Sequence, residues 1–131
     1  MELTIIQKKI LVIRGQRVML YFHLAEMYGV QTRVLVQAMK RNQNRFPPDF
    51  MFQLNRNEFK VLMSQFVISK KEKRGGTQKL PYTFTEHGIT MLSSVLRSET
   101  AVKANIAIVR AFILLKQKNK HFKFQAPAKT N

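Results

Sequence analysis

The stretch His23–Asn42, HLAEMYGVQTRVLVQAMKRN, constrains the fold of this chain more than any other. Leu24, Met27 and Tyr28 fall at i, i+3 and i+4, which predicts one face of a short helix. Gly29 stops that helix, because glycine adopts the left-handed backbone just past a helix end without a Cβ penalty. Thr32 is a candidate N-cap for a second helix, whose inner face is Leu35, Ala38 and Met39. Two short helices joined by so tight a turn must pack on each other at an angle, and Ala25 supplies the small residue at the crossing while Val30 turns back into the core. This is a helix-turn-helix pattern. It leaves Gln31, Thr32, Arg33, Gln37, Lys40 and Arg41 outside. An ordinary helical hairpin with a solvated charged side meets the same spacing, so the chemistry of that outer face has to separate the two readings. Gln and Arg pair bidentately with adenine and guanine edges in a major groove, and Lys and Thr suit phosphates.

The segments on either side read as parts of the same small α+β core. In ILVIRGQRVML, β-branched and aliphatic residues flank Gly15, predicting a hairpin with strands Ile10–Arg14 and Arg17–Leu20. Pro47 and Pro48 forbid a helix after Phe46. Phe50–Leu54 alternates as a strand, with Phe50, Phe52 and Leu54 on one face. Phe59, Leu62, Met63 and Phe66 repeat at helical spacing, with Asn55 or Asn57 as cap. Leu80–Thr85 is a second strand, expected to pair with Phe50–Leu54. Thr85 then caps a helix over EHGITMLSSVL, and Ser98 caps a last helix from Glu99 to about Lys118. The domain is expected over 1–115, with 116–131 a basic tail that is frayed or disordered.

Charge narrows the function classes. The chain has 131 residues, 23 Lys and Arg against 7 Asp and Glu, and a net charge of +16. Residues 116–131 account for five lysines only, so the folded part is itself basic, and nucleic acid is the commonest partner for such a domain. There is no Cys, which excludes disulfides and Cys-type zinc sites. The longest apolar stretch is too short to span a bilayer, and the N-terminus has no signal-peptide pattern, so no membrane is expected and the location is read as cytoplasmic.

KKEKRGGTQKLPY, Lys70 to Tyr82, is the most cationic stretch. As a linker it would be a solvated loop. Standing between two strands expected to pair, downstream of a helix pair, it reads as a β-wing whose Lys70, Lys71, Lys73, Arg74, Gln78 and Lys79 face a polyanion, with Gly75-Gly76 allowing close backbone approach.

The segments IRGQRVML, LAEMYGVQTRVL, AMKRNQNRFPPDFMFQL, RGGTQKLPYTFTEHGITMLSSVL and IVRAFILL, in this order and spacing, resemble the ORF-six N-terminal domain, a branch of the KilA-N-like DNA-binding domains of phages and bacterial mobile elements. The resemblance covers about Ile10 to Leu115. It implies a DNA-binding module of the kind often found at the N-terminus of phage antirepressor or regulatory proteins. Basic positions matching the family pattern are Arg14, Arg17, Lys40, Arg41, Arg45, Arg74 and Arg110. The chain departs from the pattern where Tyr21-Phe22-His23 replaces an acidic helix start, where Gln31 replaces a commonly acidic turn residue, and where His87 stands for the usual Gln.

His23 with Glu26, and Asp49 with Glu86 and His87, invite a metal or acid–base reading. Zinc would need three or four converging ligands from a poor supply, and Glu86 suits the positive end of a helix. No catalytic site, metal or cofactor is therefore expected. On the last helix, Val102, Ile106, Val109 and Ile113 form one apolar stripe and Ile108, Phe112 and Leu115 another; a surface helix needs only one. A homodimer through Glu99–Lys118 is the expected use of the second. The reading is an α+β domain with a helix-turn-helix, a small antiparallel β-sheet with a wing, and C-terminal helices. It binds double-stranded DNA in a sequence-specific, regulatory role, with a phage or host regulatory protein as a further partner. The alternatives are RNA binding, disfavoured because the Phe residues sit at core spacing, and a protein-binding antirepressor without DNA readout.

Overall fold

The computed structural model describes residues 2–65 and 79–123, with side chains to residue 117. It is a mixed α+β fold. In chain order the elements are α1 (Leu3–Lys8), β1 (Leu11–Ile13), β2 (Gln16–Leu20), α2 (Tyr21–Tyr28), α3 (Thr32–Arg41), a 3₁₀ turn (Gln43–Arg45), β3 (Met51–Gln53), α4 (Arg56–Gln65), β4 (Tyr82–Thr85), α5 (Glu86–Leu96) and α6 (Glu99–Lys123). The four strands form one antiparallel sheet in the order β1-β2-β4-β3. The expected partnership of the two later strands holds. Met51 faces Phe84 and Gln53 faces Tyr82 in register, and the Leu54 N–H donates to the Pro81 carbonyl at 2.9 Å.

The sheet is covered on both sides, where simple alternation predicts one apolar face. Met19, Phe84 and Met51 lie in one cross-strand row and pack into the main core with Leu24, Tyr28, Leu35, Ile89, Ile108 and Phe112. Val18, Leu20 and Phe52 face the other way, with Leu54 beside them, and are closed over by Leu62 and Phe59 of α4. Thr83, buried on that second side, satisfies its hydroxyl by donating to the Phe52 carbonyl at 3.0 Å.

Local chemistry explains the element ends. The β1–β2 hairpin turns on Arg14 and Gly15, both at positive φ (56° and 74°), the mirror-image turn that matches strand twist. α4 begins with a capping box: the Glu58 N–H donates to Asn55 Oδ1 and the Asn55 N–H donates to Glu58 Oε1, each at 2.8 Å. Thr85 caps α5 by accepting from the Gly88 N–H at 3.3 Å, and Ser98 caps α6 by accepting from the Ala101 N–H at 3.0 Å. α6 continues to Lys123, past the expected end near Lys118, because no proline or glycine interrupts the run before Pro127. α1 was not foreseen; its Ile6 is fully buried in the main core, and the helix packs on α6.

Candidate nucleic-acid interface

The site is built on α2, α3 and the turn between them. α2 starts directly from the end of β2 and its N-cap residue, Leu20, offers no side-chain cap, as the missing acidic residue there implies. It ends in a Schellman motif. Gly29 sits at φ 71°, its N–H donates to the Glu26 carbonyl at 3.2 Å, and the Val30 N–H donates to the Ala25 carbonyl at 3.0 Å. Val30 packs against the main core, as the apolar residue after such a cap does. Ala25 is 2% exposed, which leaves room for little beyond a methyl there. Tyr28 is buried and its hydroxyl donates to the Ile89 carbonyl at 3.2 Å, which ties α2 to α5. Burial pushes that phenol's pKa far up, so it stays protonated as a donor.

α3 is seated by Leu35 and Met39, which are 0% and 1% exposed, with Val36 and Ala38 half-buried beside them. Two such anchors each contribute about 1.5–3 kcal/mol of burial. They determine which side of α3 stays outside. Arg33, Val34, Gln37, Lys40 and Arg41 are exposed there, Gln31 is exposed in the turn, and Gln43, Asn44 and Arg45 continue the exposed surface beyond the helix. Between Glu26 and Asp49 the chain has no acid and four cations, Arg33, Lys40, Arg41 and Arg45. Thr32 is the first helical residue and half-buried; the cap position belongs to Gln31, whose backbone is extended. The Gln31 side chain makes no capping bond and accepts from Arg33 Nη2 at 2.9 Å. The face therefore offers a planar Arg fork, an amide, an ammonium and one small apolar contact, Val34. An apolar residue such as Val34 reads as core in the sequence, yet it is exposed. Its offset from Leu35 and Met39 was the available signal.

The other expected residues lie elsewhere. Arg14 is engaged within the fold: Nε donates to Glu58 Oε2 at 2.7 Å, Nη2 donates to Glu58 Oε1 at 2.9 Å and to the Gln53 carbonyl at 3.2 Å, and the guanidinium stands 4.3 Å from the Phe52 ring centre. These bonds raise the Arg14 pKa, and the same contact holds the Glu58 carboxyl below its usual range. The expectation of a DNA contact at Arg14 thus meets a charge already compensated by Glu58. Arg17 is half-buried and lines a polar cleft with Asp49, Glu86, His87 and Lys116, to which α3 contributes nothing. In that cleft Glu86 pairs with Lys116 at 2.6 Å and His87 stacks on Phe50 with ring centres 5.6 Å apart. Among the described residues no group of three or more His, Asp or Glu is placed to hold a metal ion. Lys70, Lys71, Lys73, Arg74 and Gln78 lie outside the described residues; Lys79 is exposed just before β4.

A family model for the ORF6N domain matches residues 8–95, from the end of α1 to the last turn of α5. The chain belongs to the ORF6N domain family. The ORF6N match takes in the hairpin, the α2–α3 pair, the sheet and α5; it ends before α6, short of the Leu115 boundary expected from the sequence resemblance. No curated protein and no solved structure matches the chain. Among the described residues, no helix is long and apolar enough to cross a membrane.

Proposed function

We propose that this ORF6N chain is a sequence-specific double-stranded DNA-binding module of phage-type regulation, working in the cytoplasm and reading DNA with α3. The observation that carries the reading is the outer face of α3: Arg33, Gln37 and Lys40 recur along one exposed side of a helix held from behind by Leu35 and Met39, in a stretch with no acid between Glu26 and Asp49. That is the arrangement a recognition helix needs in a major groove. In this reading α2–turn–α3 acts as a helix-turn-helix. Arg33 and Gln37 address base edges, Val34 touches a thymine methyl, and Lys40, Arg41 and Arg45 hold phosphates that set the register. Gln31 and Thr32 lie where the helix start meets the backbone, and its uncapped N–H groups favour an anion. The segment Lys70–Lys79 grips the backbone or the adjacent minor groove, where its cations displace counterions. Arg14 supports the domain by tying the hairpin to α4. Regulation then follows from occupancy, by blocking or recruiting other proteins at a promoter or phage control site.

The test is fluorescence anisotropy of a random-sequence duplex titrated with protein at two salt concentrations, with single-stranded DNA and RNA of equal length as competitors. Salt-sensitive binding that prefers the duplex is expected. Equal binding to the three polyanions, or none, overturns the reading.

A further inference from the structure

The last helix, α6, has two apolar stripes with different fates. Ala101, Ala104, Ile108, Ala111 and Phe112 are buried in the domain's own core. On another side of the helix, Val102, Ile106 and Ile113 remain 51%, 45% and 42% exposed, with Val109 half-buried between them. The steps along this second stripe are four, three and four residues, the repeat of a coiled-coil seam. The ORF6N match ends at residue 95, before this stripe begins.

The charges at its ends identify what covers it. Glu99 stands one heptad before Ile106, and Lys116 one heptad after Val109; both are exposed. A second copy of α6 running antiparallel, with Val102 against Ile113 of the partner copy, brings Ile106 against Val109 and sets Glu99 against Lys116 at both ends. A parallel copy would instead stack Glu99 on Glu99 and Lys116 on Lys116. We infer that the chain forms a two-fold homodimer through an antiparallel α6–α6 seam closed at each end by a Glu99–Lys116 pair between copies. Lys116 already bonds Glu86 of its own chain, but its side chain is 57% exposed and an ammonium has three donors. A two-fold protein presents its α3 faces to a two-fold site.

Lys103 and Arg110 are exposed beside the seam, and each copy carries +16, so like charges oppose association at low salt. Salt screens them. Salt also weakens the two exposed end pairs, which are worth little each, so the repulsion between two copies of +16 dominates and the dimer tightens with salt, the reverse of the response expected for DNA binding. The seam is about 16 Å long, three turns of helix, which places it among small, weakly associating interfaces.

Sedimentation equilibrium of the full chain at about 0.5 mM, without DNA, tests this separately from the proposed function. A dimer is expected, favoured by added salt, with Ile106→Glu shifting it to monomer at unchanged helix content. Glu99→Lys and Lys116→Glu should each weaken the dimer, and the double exchange should restore it. The chain has no native Cys, so mixing a Val102→Cys chain with an Ile113→Cys chain under mild oxidation reads the register. A disulfide between the two variants is expected. Val102→Cys chains linked mainly to each other would overturn the antiparallel seam. A monomeric wild type at low and high salt would overturn the dimer, and an Ile106→Glu chain that still dimerises would overturn its placement on the α6 seam.

Discussion

Arg33 and Lys40 share one exposed side of α3, yet replacing them should have different consequences. Arg33→Ala is expected to cost about 1–3 kcal/mol on the preferred DNA sequence and to relax preference at one position. Lys40→Ala should weaken all sequences alike and reduce the salt slope by about one. Competition anisotropy with a selected site and a scrambled duplex separates the two; swapped behaviour would reverse the assigned roles. Arg14 is where a residue's role was least legible. As a cation in a turn it looks available, but its partner Glu58 is 44 residues away in sequence. Glu58 gains its contact with Arg14 only on folding, which lowers its pKa in the native state. Around the ordinary carboxylate range the unfolded chain thus binds more protons than the folded one. The pair's stabilisation is complete above about pH 4.3 and is lost as pH falls through the lower native value. Glu58→Gln should remove that part of the acid destabilisation, read as a flatter dependence of urea midpoint on pH below about pH 4.3.

At the scale of elements, two glycines carry opposite kinds of constraint. Gly29 is needed for its backbone: at φ 71° an added Cβ is strained, while its nearest neighbour, Thr100 Cγ2, is a comfortable 3.5 Å away. Gly29→Ala should cost about 1–2 kcal/mol in chemical denaturation without abolishing the fold. Gly88 is needed for space, because a methyl there would overlap the Phe50 carbonyl, which also accepts the Thr85 N–H at 3.0 Å. Gly88→Ala should separate β3 from the start of α5 and cost about 4 kcal/mol or more, read as a lowered urea midpoint. The first constraint was legible as a helix stop before a new apolar period. The second was invisible, since Gly88 sits inside a helical pattern and what it approaches is a loop before β3. α1 escaped notice for a related reason: six residues are too few to show a period, and Ile6 is held by contacts with the rest of the core.

For the whole molecule, the excess of cations turns into a measurable salt response. If about six phosphates are engaged, the logarithm of the DNA affinity should fall against the logarithm of salt with a slope of about −5. A slope near −1 would mean that most of the +16 charge lies away from the DNA. The same screening should strengthen self-association through α6, so one salt titration moves the two equilibria in opposite directions.

The parts of this protein written in the sequence are those with local causes. The α2–Gly29–α3 unit, the caps at Asn55, Thr85 and Ser98, and the acid-free outer side of α3 follow from hydrogen bonds and periodicities closed within a few residues. Even the double stripe of α6 is a local pattern. Tertiary structure alone decided which stripe turned inward, that α4 covers the second side of the sheet, that Arg14 answers to Glu58, and that Gly88 lies against Phe50. Each of those depends on what arrives from a distant part of the chain, and burial and charge pairing are properties of neighbours in space.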